Sequence, residues 1–400
     1  MIKMNNCYAL NELKVLDLGQ MVAAPYCGSL LASLGADVIK IEVPGRGDIS
    51  RNSLPKKDGV STYYIAYNSG KRGITINLKT EEGKEILRKL IIKADVLLEN
   101  FRPGVMERLG FSYEKVSEIN PGIIYASISG FGQNGIYSKR ACFDPIAQAM
   151  SGLMSVTGSL GGESVRCGAS IADVLAGLSA TVGILAALDY RRRTGKGQQI
   201  DVALLDMCIS ALASMNQIYL TTGKVPVPRG NSFEASAPGD SFPTADGTIV
   251  ISAGMPTEWP KLAKLLGHEE WIKDPRFTKV EDRVRNRIDL DELIAKETIK
   301  YSTDELLDKL IAVGLPSGPI LSIDKVVNDT HFRDERGMFP SVHHPEIGNV
   351  TITNQGLKMS ETNPHIKCCA PMLGQHNREI LLSLGYNSRE IELLSEEGVI

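Results

Sequence analysis

No histidine occurs before His268; all six lie between His268 and His376 of this 400-residue chain. A site built in the first two thirds must therefore move protons without imidazole. The histidines themselves are expected at surface or loop positions. There is no HExxH and no paired Cys/His spacing, which excludes the common zinc frameworks. The seven cysteines are odd in number and without a CxxC, and neighbouring Cys368-Cys369 is no disulfide pattern. Reduced thiols are the simplest reading. An excess of basic charge is also missing: the formal net charge is −3, which leaves no nucleic-acid footprint. The start, Met1-Ile2-Lys3-Met4-Asn5-Asn6, lacks the apolar run of a signal peptide. These absences predict a cytoplasmic protein with no metal, nucleic-acid or membrane partner.

What is present is ordinary for a globular enzyme: 43% hydrophobic and 23% charged residues. The length allows two or three domains. The stretch 166–189 is central. Arg166-Cys167-Gly168-Ala169-Ser170-Ile171-Ala172-Asp173 leads into an apolar, small-residue run ending at Asp189. Apolar on nearly every face, that run reads as a core helix. From 174 to 188 it is too short for a bilayer, which takes roughly 20 residues. Asp173 then sits at its start. It fits a helix N-cap, and it equally fits a nucleophilic carboxylate. Its position alone suits either.

Around that helix, strands and helices alternate. Strands are predicted at 13–18, 37–42, 95–99, 123–128 and 198–202, with a helix from Pro25 to Gly35. Thr80 caps a helix over 81–94 with Ile86, Leu87, Leu90 and Ile91 inward, and another helix spans 203–220. This predicts an α/β fold, an open doubly wound Rossmann-like sheet. Gly130-Phe131-Gly132-Gln133-Asn134-Gly135 is literally GxGxxG. No helix follows it promptly, so it is a poor dinucleotide signal. A Gly/Pro-rich linker near 223–230 precedes a smaller α+β domain. The expected division is 1–222 for the first part of the large domain, 223–330 for linker and small domain, and 331–400 for the return. The tail after Thr351 is expected to hold short strands and two helices packed on the large domain.

Basic or amide-bearing clusters fall in predicted loops: Asn68-Ser69-Gly70-Lys71-Arg72, Asn100-Phe101-Arg102-Pro103-Gly104 and Lys139-Arg140. Gathered on one sheet edge, they could hold a ligand with several phosphates. With a lone helix-start carboxylate, that suggests chemistry on a coenzyme A thioester. The chain resembles the class III CoA-transferases, the formyl-CoA transferase and carnitine CoA-transferase-like family. The match runs in order through Val15-Leu16-Asp17-Leu18, the stretch 34–42, Asn68 to Arg72, Glu99 to Gly104, Ser129-Gly130-Phe131-Gly132, Ala147-Gln148-Ala149-Met150-Ser151-Gly152, Ala172-Asp173 and Thr194 to Gln198.

The resemblance implies that Asp173 is the catalytic aspartate. It attacks a donor acyl-CoA, passes through a mixed anhydride and an aspartyl-CoA thioester, and hands CoA to a second acid. No tightly bound cofactor is implied; acyl-CoA and a small carboxylic acid are the substrates. By position, Met21, Val22, Ile76 to Lys79, Asn100, Phe101, Arg102, Arg108 and Arg140 fall on segments that contact CoA in similar enzymes. Where the family often has a basic residue this chain has Val43; either Arg46, three residues on, supplies that charge or the adenine pocket differs. The resemblance further implies a homodimer of interlocked subunits, with each active site between the large domain of one chain and the small domain of the other.

Two other functions compete. The superfamily includes α-methylacyl-CoA racemases, whose histidine base falls in the segment matching Ala141-Cys142-Phe143-Asp144; here that segment has Phe143. A non-catalytic CoA-binding protein is the second, and it gives no reason for Asp173. The oxalate–formate enzymes carry a glycine run that the region 235–242 lacks, and a small acid such as succinate fits the acceptor.

Overall fold

The computed structural model describes residues 8–400; the chain start, Met1 to Asn6, lies outside them. The chain divides into two compact units. The first takes the residues up to Leu153, Arg166–Gln217 and Thr330–Ile400; the second takes Met154–Val165 and Ile218–Asp329. The boundaries drawn from sequence at 222 and 330 did not set 154–165 apart.

Six parallel strands build the sheet of the first unit: β1 (Lys14–Asp17), β2 (Asp37–Glu42), β3 (Arg72–Thr75), β4 (Val96–Glu99), β5 (Ile124–Ser129) and β6 (Gln198–Ala203). Their spatial order is 3-2-1-4-5-6, the doubly wound order of Rossmann-like domains. The expected fold class is the one found. Strand order reverses between β1 and β4, which pair from Val15↔Val96 to Asp17↔Leu98. Their loops part there, and the crevice between them is where such sheets bind ligands.

Alternate residues of the strands feed two cores. On one face Val15, Val38, Leu98 and Ala126 pack with Cys27 and Leu31 of α1 (Ala23–Ser33) and with Ala172, Ala176, Ala180 and Ile184. On the other, Leu16, Ile39, Leu97 and Tyr125 meet α2 (Glu81–Lys93) and the helices Asn377–Ser383 and Ser388–Glu396. The Thr80 hydroxyl accepts the N–H of Gly83 at 3.1 Å, and α2 turns Ile86, Leu87, Leu90 and Ile91 inward as its periodicity predicts.

Three expectations are corrected here. The central helix runs over Ile171–Thr194, 24 residues. It continues through Arg191, Arg192 and Arg193 until Gly195, at φ +74°, closes it. By length and composition alone it could cross a membrane, yet its small-residue face is packed in the sheet core. Gly177 is required there, because an added Cβ would lie 2.7 Å from the carbonyl oxygen of Ala23. Nor is the helix buried all round: Leu178, Val182 and Leu185 on the opposite face are 42%, 68% and 38% exposed. The helix expected over 203–220 is two, Leu204–Ala211 and Ala213–Thr222. No strand follows Thr351 among the described residues.

The tail instead closes the sheet edge. The β3 backbone N–H groups of Gly73 and Thr75 donate to His376 Nδ1 (3.0 Å) and Asn377 Oδ1 (2.9 Å). Unpaired edge groups are thereby capped by side chains. His376, in a turn, is thus a structural acceptor; His344 is buried at a strand end with its Nδ1 accepting the N–H of Glu346, not at the surface or loop position expected.

The second unit has three antiparallel strands, β7 (Gly239–Pro243), β8 (Thr248–Ser252) and β9 (Ser317–Pro319), with β8 central. Phe242, Ile249, Ile251, Trp259, Phe277, Leu290 and Leu306 form its core.

Candidate active site

A cleft of about 1220 Å³ opens at the carboxyl ends of the strands, and its lining residues all belong to the first unit. The loops after β1 to β4 contribute Met21, Val22, Arg46, Ile76, Lys79, Asn100, Phe101 and Arg102. The β5 side contributes Ser129, Gly130, Cys142, Phe143, Asp144 and Asp173.

The turn after β1 is held from three directions. Asn100 Oδ1 accepts the N–H of Gln20 (2.7 Å) and its Nδ2 donates to the carbonyl of Gln20 (2.9 Å), bracing the two loops of the switch point. Met21 adopts φ +62°, uncommon for a side chain with a Cβ; its N–H donates to Asp48 Oδ1 at 3.1 Å. Lys40 donates to the carbonyl of Gly19 and pairs with Asp48 at 2.8 Å. Below it, Lys71 pairs with Asp17 at 2.7 Å. Burial would raise the Asp17 carboxyl, but Lys40 and Lys71 outweigh it and hold it below the usual range.

This network corrects the reading of Lys71 as a ligand contact. The side chain is fully buried, and its ammonium also donates to Pro25, Tyr67 and Asn68 oxygens. Arg72 likewise begins β3, at the strand end away from the cleft, and is engaged by Asp37 (2.6 Å) and Glu379 (2.7 Å). Arg108, Lys139 and Arg140 do not line the cleft; the Arg140 guanidinium lies 4.1 Å over the Tyr137 ring. Arg46, Lys79 and Arg102 remain. All three are exposed and line the cleft, and among the described residues none makes an ion pair. Val43 lines it too. A rim of three unpaired cations on the loops of β2, β3 and β4 suits a ligand with several phosphates.

Asp173 lies on the other side of the switch point. The helix Ile171–Thr194, α4, takes Ser170 as its N-cap, without a side-chain cap bond. Asp173 is therefore not the cap but the third helical residue. The capping is done by Asp144, which opens α3 (Asp144–Met150) and whose Oδ1 accepts the N–H of Ala172 at 2.7 Å. Among the described residues no donor reaches the Asp173 carboxylate. Burial, and next the Asp144 charge, push its carboxyl up to about 7. A bare, raised carboxylate at a helix start is a capable nucleophile and acyl carrier.

Asp144 was missed by sequence reasoning. Its local signal is an acidic residue before Pro145 at a helix start, but its closeness to Asp173 spans 28 positions to Ala172 and has no local trace. Ser129, whose buried Oγ has no partner among the described residues, was likewise missed. The glycine-rich 130–135 segment leaves β5 without a helix until α3, as its sequence predicts.

A doubly wound sheet with a cleft at its switch point, cationic at one side and carrying a bare carboxylate at the other, defines an α/β enzyme for anionic acyl substrates. The chain belongs to CoA-transferase family III, whose model matches residues 10–377. It is thus an enzyme of the class III CoA-transferases, which act on CoA thioesters. It is 37% identical over 394 residues to succinyl-CoA–D-citramalate CoA-transferase of Chloroflexus aurantiacus, covering 98% of each chain. It is 38% identical over 410 residues to formyl-CoA:oxalate CoA-transferase of Streptomyces avermitilis, covering 98% of this chain and 99% of the relative. The crystal structure of a CAIB/BAIF family protein from Brucella suis superposes with a TM-score of 0.85 at 37% identity, over 94% of this chain and 99% of that one.

Proposed function

We propose that this enzyme moves coenzyme A from an acyl-CoA donor to a small carboxylic acid through covalent intermediates on Asp173. The observation that carries this is the Asp173 carboxylate, which lines the cleft without a described hydrogen-bond donor. Its oxygen attacks the thioester carbonyl, the C–S bond breaks, and a mixed anhydride and CoA thiolate form. The thiolate attacks the aspartyl carbonyl, releasing the donor acid and leaving an aspartyl-CoA thioester. The acceptor carboxylate attacks that thioester and the thiolate returns to the new acyl group, regenerating Asp173. Acyl bonds of similar energy are exchanged, so no external energy source enters.

Arg46, Lys79 and Arg102 meet the phosphates of CoA in this reading, and Met21, Val22, Ile76, Asn100 and Phe101 line its path. A succinate-type acid is the acceptor or donor class; relatives named as transferases of succinyl-CoA support it, as does a 235–242 region without a glycine run. The racemase alternative finds no support: Phe143 lines the cleft, and no histidine does.

The working form is an interlocked cytoplasmic homodimer in which the partner's second unit completes the cleft. The exposed apolar face of α4, Leu178, Val182 and Leu185, supports burial against another surface. Sedimentation at nanomolar concentration should give one species of twice the chain mass; a folded, active monomer would remove the interlocked form.

The chemistry is tested by incubating enzyme with an acyl-CoA, digesting it and weighing the peptides. An acyl or CoA adduct is expected on Asp173. An adduct found instead on Cys167 or Cys142 would overturn the assignment.

A further inference from the structure

One matched run, 147–152, has no part in the chemistry just proposed, yet its Gln148 is fully buried against the site. Its Nε2 donates to Asp144 Oδ2 at 2.6 Å, and its Oε1 accepts the N–H of Cys167 at 2.8 Å. Asp144 Oδ1 in turn accepts the N–H of Ala172 at 2.7 Å. One amide therefore reaches both ends of the segment 167–172 that delivers Asp173. Both oxygens of Asp144 are engaged, whereas no described donor reaches those of Asp173.

We propose that Gln148 is a positioning residue for the reaction: its amide clamps Asp144 to the start of α4 and the backbone at Cys167 to α3, so that Asp173 alone of the two carboxylates keeps free oxygens in the cleft. This rests on Asp173 being the nucleophile. Only an amide supplies donor and acceptor from one neutral side chain. Leucine supplies neither. An ionised glutamate supplies acceptors only and would face the Asp144 carboxylate directly; a protonated one reproduces the donor. Without the clamp, Asp144 is freed to take a proton and donate it to Asp173, tying up the attacking oxygens. The other titratable groups facing Asp173 are Cys142, Cys208 on the helix after β6, and Tyr67 on the helix Thr62–Asn68. Tyr26 of α1 packs on α4 at Gly177. Among the described residues none of these bonds to the Asp144 carboxylate or to the N–H of Cys167, so none stands in for the amide.

The test compares full-length wild type, Gln148→Leu and Gln148→Glu in kcat, acyl-CoA KM, pH–rate profile and thermal melting. Gln148→Leu should lose kcat by about 10²-fold, the scale of a misplaced reacting group, with KM little changed. Gln148→Glu should be active when its introduced carboxyl is protonated and lose activity as pH rises, adding a falling limb that wild type lacks. A merely structural role would lower the melting temperature without creating that limb. If Gln148→Leu fails to fold, the Gln148→Glu profile decides. A Gln148→Glu profile matching wild type, or a folded Gln148→Leu with wild-type kcat, overturns the inference. Adduct mapping on wild type run alongside separates the two claims: no adduct on Asp173 fells the nucleophile itself, whereas an adduct with unaltered Gln148 variants fells only the clamp.

Discussion

Beneath the turn after β1, Asp17, Lys40, Asp48 and Lys71 are buried, with the pairs Lys71–Asp17 and Lys40–Asp48 at 2.7 and 2.8 Å. At the start of α4, Asp144 and Asp173 stand close with no cation between them, and the second is pushed up to about 7. The two regions flank one cleft. Paired charge fixes backbone there: it pins Gly19 and Met21 and is spent on shape. Unpaired charge remains available for reaction or for a ligand. The same division separates Lys71 and Arg72, which are engaged, from Arg46, Lys79 and Arg102, which are not.

The comparison breaks most sharply at Asp173. Asp173→Asn keeps the shape but removes the nucleophile, and turnover should fall by about 10³-fold or more, over 4 kcal/mol in barrier; steady-state transfer assays check this. On the paired side, Lys71→Met should cost stability instead. It strands a buried Asp17 carboxylate, worth about 3–5 kcal/mol, read by denaturant melts. At a temperature where the variant is folded, KM for acyl-CoA should be unchanged. Arg102→Ala should do the reverse, weakening acyl-CoA binding by about 1.5–3 kcal/mol through a lost charge-assisted bond, with melting unaltered. Arg72→Ala is its control: an equal rise in KM there would erase the distinction between engaged and free cations.

The last effect is in pH. Because folding raises the Asp173 pKa, the folded state holds its proton better than the unfolded chain does. Stability from this group is full below the ordinary Asp value and is lost as pH rises through about 7. Asp173→Asn cannot lose it. The variant should out-melt wild type above pH 7, and the gap should close toward pH 4. Activity should run the opposite way, rising with pH through about 7 as the carboxylate forms. A constant melting difference across that range would show that the group is not shifted.

Much of this was legible in the chain. The Thr80 cap and the four inward residues of α2 follow from local pattern. So does β2, whose limits at 37–42 match its apolar run. The edge strand β3 was not legible. Arg72-Gly73-Ile74-Thr75 has no alternation to announce it, and its edge N–H groups are satisfied from about 300 residues away. That omission made Lys71 and Arg72 look like loop cations. The limits of α4 were less legible: the apolar run ends at Asp189, but the helix continues through Arg191 to Arg193, whose basic side chains favour its C-terminus. Asp173 was found through its match to a family site, while the Asp144–Gln148 support required three segments to be brought together.

The capped edge of β3 has a consequence for how the protein is made. Thr75 leaves the ribosome with its edge N–H facing nothing, and its acceptor on Asn377 is 302 positions away. At about 5–20 residues per second, the nascent chain waits roughly 15–60 s for that partner. During this interval all six strands, complete by Ala203, can already have assembled with an open edge beside other emerging chains. A segment translated about 300 residues later is thus the one that covers this edge. Stalling or nicking the chain between 352 and 376 should yield aggregates rather than a slightly shortened enzyme.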